Sequence, residues 1–375
     1  MGDKIRVCHI CSYYENILFH NIVSAQKEFS EPTVFFFKPT GSKVQYGLPG
    51  IDEVNCFHQM DRFFFFVKEK KVYDAYRALY HDRRFDLNFG PSLFANGYIA
   101  YRAHRERGVP YIVMVQNTDL NVFFKYRLPL RATGIEIARH AERVLFASEV
   151  YRQKFLTRYV PQKYRAEIEE RTMVIPYSIE DLFFDGPAPA KKAPEGTWRA
   201  LCAGLICENK NQVAAAQAVE RLRSEGTDMT LTVIGKVKEP RIEAALRRYP
   251  FVTVEPFAPM DALKERYRSH DLFVLASKTE TFGLVYAEAL SQGLPILYSR
   301  GEGFDGQFEA GYVGYPVDPR NVDDIAAGIR RVMAEYPALT ERTAAAADRF
   351  RRDRIAEAYR RLYETVAPDA GGPRG

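Results

Sequence analysis

The apolar run Leu272-Phe273-Val274-Leu275-Ala276 is followed by the polar turn Ser277-Lys278-Thr279-Glu280-Thr281-Phe282-Gly283 and then by Leu284–Gln292, which has helix-forming character. The apolar run predicts a buried strand, and Gly293 is a plausible helix stop. The stretch therefore predicts a strand, a turn and a helix that begins near Gly283. Units of this kind build parallel sheets that are wrapped by helices.

The start of this helix predicts an anion site. The first amide groups of a helix have no intrahelical acceptor, and the helix dipole is positive at that end. A diphosphate can dock there, and Gly283 allows a close approach to the backbone. We expect the site to comprise Thr281, Phe282, Gly283 and Leu284.

Two glutamates flank the turn. Glu288 lies about one helical turn beyond Gly283, where its carboxylate can accept hydrogen bonds from a vicinal diol such as a ribose. Glu280 precedes the turn and can hold a hydroxyl of a transferred sugar. The alternative makes Glu280 an exposed loop residue and Glu288 a solvated helix position.

The alternation of strand-like and helix-like stretches occurs twice along the chain. In the first half the predicted strands are Lys4–Cys11, Thr33–Phe37, Phe85–Phe89, Tyr111–Val115, Val144–Ala147 and Met173–Pro176. In the second half they are Arg199–Ala203, Met229–Gly235, Val252–Glu255, Leu272–Ala276 and Pro295–Ser299. The fold class is therefore α/β, with two doubly wound, Rossmann-like domains.

A stretch rich in Pro, Ala and Gly separates the two halves and predicts a linker. The predicted divisions are a first domain over 1–183, a linker over 184–196, a second domain over 197–350, a helix over 351–366 that crosses back to the first domain, and a disordered tail over 367–375. Two such sheets leave a central cleft between them, and ligands bind at the carboxyl ends of the strands.

Composition describes an ordinary globular chain of 375 residues with a net charge of +5. This charge is too weak to indicate nucleic acid, although it suits an anionic partner. The start has no apolar core of signal-peptide length, and five cysteines are an odd number for a disulfide framework, so we expect a cytoplasmic protein. The Cys8 and Cys11 pair lacks the further ligands of a metal site.

The run Phe63-Phe64-Phe65-Phe66 precedes Lys68, Lys70 and Lys71. Aromatic rings beside cations are also typical of a peripheral contact with an anionic membrane at its inner face. The interpretation that we favour is a core strand or helix turn followed by a solvated face.

The spacing of Glu280 and Glu288 resembles the Glu-x7-Glu signature of retaining glycosyltransferases of the GT-B fold, family four, and the resemblance extends over most of the chain. Ala203–Asn211 resembles the first strand and loop of that family's nucleotide domain. The resemblance implies that Gly204 and Lys210 bind the donor diphosphate, although Leu205 replaces the usual arginine. Phe257 matches the segment that lines the nucleobase.

In the first domain, Gln116-Asn117-Thr118-Asp119 resembles the family's His-Gly-Thr-Asp turn, with Gln116 in place of histidine. A glutamine can donate a hydrogen bond but cannot carry a proton at neutral pH. The expected catalytic residues are Lys210, Glu280, Gln116 and Asp119. The expected acceptor-binding residues are Ser12, Tyr13 and Asn117.

The resemblance implies a retaining transferase that moves a sugar from a nucleotide-diphosphate donor to a glycan, a lipid-linked or a small-molecule acceptor, as in polysaccharide biosynthesis. The chain has no Asp-x-Asp pair, so we expect no metal and no other cofactor. Two alternatives stay open. One is a sugar-nucleotide epimerase of the same fold, and the other is a homologue that binds a sugar nucleotide without turnover.

Overall fold

The computed structural model describes residues 4–13 and 17–367. These residues form two compact units. The first unit comprises the described residues up to Ala147, Arg152–Ile175 and those from Ile355 onward. The second comprises Ser148–Tyr151 and Pro176–Arg354, so the stretch 184–196 lies within it.

The first unit is built on a parallel sheet with the strand order β3-β2-β1-β4-β5-β6-β7. The strands are β1 (Ile5–Cys11), β2 (Ser30–Pro39), β3 (Ile51–Phe57), β4 (Leu87–Gly90), β5 (Tyr111–Met114), β6 (Arg143–Phe146) and β7 (Thr172–Val174). Because the strand order reverses at β1 and β4, the sheet is doubly wound. This confirms the predicted architecture of the first half.

Helices cover the first sheet. They are α1 (Ile17–Gln26), α2 (Phe65–Leu79), α3 (Gly97–Arg107), α4 (Arg131–His140), α5 (Glu149–Arg158) and α6 (Gln162–Glu169), with 3-10 turns at Gln59–Phe63 and Leu128–Leu130 and a π-helical segment at Asp119–Phe124. The central strands are almost wholly buried, as continuous apolar strands of a parallel sheet should be.

The second unit repeats the plan with the order β10-β9-β8-β11-β12-β13. Its strands are β8 (Trp198–Ala203), β9 (Met229–Ile234), β10 (Val252–Glu255), β11 (Leu272–Val274), β12 (Ile296–Ser299) and β13 (Gly314–Val317). Its helices are α7 (Gln212–Ser224), α8 (Pro240–Leu246), α9 (Met260–Ser269), α10 (Leu284–Ser291), α11 (Val322–Ala334) and α12 (Tyr336–Ala347), with 3-10 turns at Asp181–Phe184, Glu208–Lys210 and Asp348–Phe350. The last helix, α13 (Arg352–Val366), belongs to the first unit from Ile355 onward.

Local sequence explains why these helices form and pack. On α11, Ile325, Ile329 and Val332 recur at the spacing of one helical face and are fully buried. The side chain of Asn321 caps this helix, because it accepts hydrogen bonds from the amides of Asp323 and Asp324. Capping and the apolar stripe together fix where the helix begins and which face it buries.

Two edge strands were not predicted. β3 reads Ile51-Asp52-Glu53-Val54-Asn55-Cys56-Phe57, and β13 reads Gly314-Tyr315-Pro316-Val317. Charged residues, glycine and proline weaken the usual strand pattern, but an edge strand tolerates them because one side needs no partner. Both strands therefore depend on pairing with β2 and β12.

The aromatic run beginning at Phe63 does not form core. Phe63, Phe64 and Phe66 are 66%, 63% and 52% exposed, whereas Phe65 packs on other rings at the start of α2. The core interpretation of this run is therefore wrong for three of its four rings. In the part of the chain that the structure describes, none of the helices is both long and apolar enough to span a bilayer. The predicted tail over 367–375 lies, after Ala367, outside the described residues.

Candidate functional site

The predicted strand, turn and helix over 272–292 are present as β11, a loop and α10. Gly283 precedes α10 and has a φ of +85°, a left-handed conformation that favours glycine. A Cβ at this position would lie 2.4 Å from the ring of Tyr286. The amides of Leu284 and Val285 are the first of the helix, and such amides have no intrahelical acceptor.

An ion pair joins the loops that follow β8 and β11. The ammonium group of Lys210 donates to the carboxylate of Glu280, and both side chains are largely buried, with 20% and 14% exposed. These two strands are neighbours at the point where the strand order reverses. The sequence predicted both residues, and the structure brings them together at the edge where doubly wound sheets bind ligands.

Two asparagines, which were given no role in the sequence prediction, hold these loops in register. The side chain of Asn209 donates to the carbonyl of Thr279 at 3.0 Å. Asn211 adopts a left-handed conformation, with a φ of 57°, and donates to the carbonyls of Ala276 and Pro319. Asparagine tolerates this conformation better than most residues, which is a signal that sequence reasoning could have used.

Two glycines let the loops after β8 and β9 touch. Gly204, which was predicted to bind the donor, has a φ of +139°. A Cβ on Gly235 would lie 1.8 Å from the carbonyl oxygen of Gly204. Glycine at 235 is thus required for the loop of Lys210 to hold its path.

The loop after β12 supports the turn from behind. Glu302 accepts a hydrogen bond from the amide of Glu280 at 3.0 Å, and the amide of Gly303 donates to the carbonyl of Glu280 at 2.7 Å. A Cβ on Gly303 would lie 2.0 Å from the carbonyl oxygen of Thr281. Phe282 is 2% exposed, so its ring anchors the turn while its backbone remains part of the site.

Glu288 is half-buried on α10, and the hydroxyl of Tyr267 donates to it at 2.9 Å. Burial raises the pKa of Glu288 to about 7; the Tyr267 hydroxyl lowers it, and the negative charge of Glu180 adds to the rise. The carboxylate is therefore costly to ionise without a further hydrogen-bond donor. A bound diol would supply such donors.

Two exposed residues border the same edge. Phe257 follows β10 and is 71% exposed, as a ring must be if it is to stack on a planar ligand. Leu205 follows β8 and is 45% exposed. The position where the resemblance expects an arginine thus presents an apolar side chain to solvent.

In the first unit, Asp119 is 1% exposed and accepts hydrogen bonds from the amides of Gln116, Leu93 and Phe94. Burial raises its pKa to about 6 against the effect of these amides. The carboxylate therefore holds the loops after β4 and β5 together, and we assign it a positioning role. The side chain of Gln116 donates to the carbonyl of Pro91 at 3.0 Å.

The predicted acceptor-binding residues do not all line the same cavity. Ser12 and Tyr13, after β1, line a cavity at the carboxyl edge of the first sheet. Asn117 is not part of that lining, and its side-chain oxygen accepts a hydrogen bond from Asn121 at 2.7 Å. Within the described residues, His, Cys, Asp and Glu form no cluster of three or more that could hold a metal ion.

Residues 188–350 match the family described as Glycosyl transferases group 1. The chain is 30% identical over 224 residues to the D-inositol 3-phosphate glycosyltransferase of Thermomonospora curvata, covering 55% of this chain and 48% of that protein. It is 30% identical over 174 residues to the glycogen synthase of Mycobacterium tuberculosis, covering 44% and 41%. The chain thus spans less than half the length of these curated relatives.

Solved structures resemble the whole chain. The lipopolysaccharide outer core galactosyltransferase WaaB superimposes with a TM-score of 0.75 at 15% identity, covering 96% of this chain and 99% of that chain. Anabaena Alr3699/HepE in complex with UDP gives a TM-score of 0.74 at 15% identity, covering 96% and 100%. At such identities the likeness concerns the fold, and it confirms the predicted GT-B class.

Because the ordinary pKa of Glu288 is 4.5 and the folded value is about 7, the unfolded chain loses this proton first as pH rises. This group's contribution to stability is therefore full below pH 4.5 and is lost as pH rises through 7. We expect Glu288→Gln, which carries no charge, to melt above the wild type at pH 8 and close to it at pH 4.5. Melting temperatures of both proteins at the two pH values check this, and an equal difference at both would contradict it.

Proposed function

We propose that this chain is a glycosyltransferase that moves a sugar from a nucleotide-diphosphate donor to a hydroxyl acceptor, with retention at the anomeric carbon and without a catalytic metal. The observation that carries the proposal is the Lys210–Glu280 ion pair beside the N-terminus of α10. A cation, a set of free helix amides and a carboxylate are the groups that a sugar diphosphate requires at its leaving group and its hydroxyls.

In this proposal the donor lies along the edge of the second sheet. The diphosphate binds the amides that follow Gly283, and Lys210 neutralises its charge. Glu280 accepts a hydrogen bond from the sugar, and Glu288 accepts one from the ribose. Phe257 stacks on the nucleobase. The proposal thus gives a function to Lys210, Phe257, Glu280 and Glu288.

In the proposed reaction the bond between the anomeric carbon and the phosphate oxygen breaks, and the acceptor oxygen bonds to the same face of that carbon. The acceptor proton passes to the departing phosphate oxygen, so no protein base is required. Negative charge grows on the diphosphate, and Lys210 and the α10 amides stabilise it. Asp119 and Gln116 act by fixing the loop that follows β5.

The comparisons support this class of reaction. The relatives are named for glycosyl transfer to D-inositol 3-phosphate and for glycogen synthesis, and the Anabaena protein binds UDP. The five cysteines form no disulfide, which suits action in the cytoplasm. Exposed Leu205 favours the second candidate, a protein that binds a sugar nucleotide without turnover, because one expected diphosphate ligand is missing.

Calorimetry with UDP-, GDP- and ADP-sugars, followed by a transfer assay with the nucleotide sugar that binds, tests the proposal. We expect one donor to bind, and its sugar to be transferred with its anomeric configuration retained. Binding without transfer and without slow donor hydrolysis would establish the non-catalytic alternative. Isomerisation of the bound sugar would establish an epimerase.

Lys210→Ala should reduce turnover more than donor affinity, because Lys210 acts on charge that grows as the diphosphate leaves. Loss of one such group costs about a hundred- to a thousand-fold in rate. Steady-state kinetics and calorimetry with the identified donor measure the two effects. Lys192→Ala is the control, since Lys192 is exposed and lies outside the site. A Lys210→Ala variant with the control's turnover would rule out the proposed role.

Chelation should leave the rate unchanged. The proposed stabilisation of the leaving group comes from Lys210 and helix amides, so EDTA removes nothing that the reaction requires. Initial rates with and without EDTA, each repeated with added manganese, test this. A large loss that manganese restores would contradict the metal-free mechanism.

A further inference from the structure

A cavity of about 370 Å³ opens at the carboxyl edge of the first sheet, among residues that follow β1, that end β2 and β3 and that begin α2. Five aromatic side chains line it: Tyr13, Phe37, Phe57, Phe65 and Phe123. Aromatic faces of this kind pack against the apolar faces of sugars and cyclitols. The shape and position suit a small polyhydroxylated ligand.

A buried carboxylate in the wall has an unused oxygen. Glu69 is 1% exposed, and its Oε1 accepts a hydrogen bond from Lys68 at 2.7 Å, whereas its Oε2 has no hydrogen-bond partner. Burial raises the pKa of Glu69 to about 7, and the charge of Lys68 lowers it. Glu69 lines the cavity, and a buried acceptor without a donor is costly, so this side chain is a natural partner for a ligand hydroxyl.

In this wall the positive charge of Lys68 balances the negative charge of the Glu69 carboxylate. Its side chain is 13% exposed, and its ammonium lies 5.2 Å from the ring centroids of both Phe37 and Phe57. A cation held over two rings is restrained by cation–π attraction. The position of the Glu69 carboxylate is therefore set before any ligand arrives.

The rim of the cavity is cationic. Arg62 and Arg127 line it, and both are exposed. Neither forms an ion pair with any residue that the structure describes. The lining thus carries three cations and one carboxylate, which leaves two positive charges for an anionic ligand.

We propose that this cavity is the acceptor site and that it takes a phosphorylated polyol, either free or as the headgroup of a lipid. Glu69 Oε2 accepts a hydrogen bond from a ligand hydroxyl, the rings pack on the polyol, and Arg62 and Arg127 bind the phosphate. The role as acceptor site rests on the proposed function, whereas the binding itself does not. Phe63, Phe64 and Phe66 are exposed next to Phe65, so a lipid-borne ligand would find an apolar surface beside the cavity.

Calorimetry tests binding directly. The probes are glucose 6-phosphate and inositol 3-phosphate, each compared with its unphosphorylated counterpart, and vesicles with or without phosphatidylinositol. We expect at least tenfold tighter binding of a phosphorylated form. Binding of the free phosphates identifies a soluble ligand, and binding of phosphatidylinositol vesicles alone identifies the lipid headgroup. Equal affinity for phosphorylated and unphosphorylated probes, or no binding of any probe, overturns the proposal.

Variants of the lining residues test which side chains bind the ligand. Glu69→Gln should weaken binding of the probe about tenfold or more, as expected for loss of one hydrogen bond to a charged group. Arg127→Gln, at an exposed position, should reduce the preference for the phosphorylated probe. If Glu69→Gln does not fold, this variant still tests the proposal. Lys70→Gln is the matched control, since Lys70 lies on the same helix, is 73% exposed and pairs with Asp74. Unchanged affinity in both Glu69→Gln and Arg127→Gln overturns the proposal.

Donor calorimetry on the same proteins separates this inference from the proposed function. A wild type that binds the phosphorylated polyol but no nucleotide sugar would refute the proposed function and leave the cavity as a polyol phosphate site. A wild type that transfers sugar while Glu69→Gln and Arg127→Gln retain full acceptor affinity would refute only the cavity assignment.

Discussion

Parallel strands place every following loop at the same edge of the sheet, and each candidate site depends on this constraint. In the second unit it brings Lys210 and Glu280, which are seventy residues apart, into an ion pair at the point where the strand order reverses. In the first unit it places Tyr13, Phe37 and Phe57 around one cavity. The geometry of each candidate site therefore follows first from the order of the strands and only then from particular side chains.

Backbone packing fixes the positions of the loops in the proposed donor site. Gly235 and Gly303 each lie where a Cβ would overlap the carbonyl oxygen of a neighbouring loop. Asn211 ties the loop after β8 to the end of β11 through its side chain. These contacts restrict the positions of Lys210 and Glu280. Electrostatic stabilisation of a leaving group requires groups that are held in place in this way.

Three buried or half-buried carboxylates differ in how they are satisfied, and the difference separates their roles. Asp119 accepts three backbone amides and is therefore structural. Glu288 has one donor, the hydroxyl of Tyr267, and Glu69 has an oxygen with none. Burial raises the pKa of all three. Glu288 and Glu69 can accept further hydrogen bonds. A ligand that brings hydroxyl groups therefore stabilises these two carboxylates more than it stabilises Asp119.

The sequence alone determined the two rounds of α/β alternation and the turn before α10, because apolar periodicity and glycine conformation are local properties. It missed β3 and β13, whose polar, glycine and proline residues form strands only beside β2 and β12. It also interpreted Lys68, Lys70 and Lys71 as marking a membrane contact or a solvated face. Glu69 among these lysines is nevertheless buried, and it lines the same cavity as Phe37 and Phe57. Burial and pairing between distant residues exist only after the chain has folded, so tertiary structure alone could decide them.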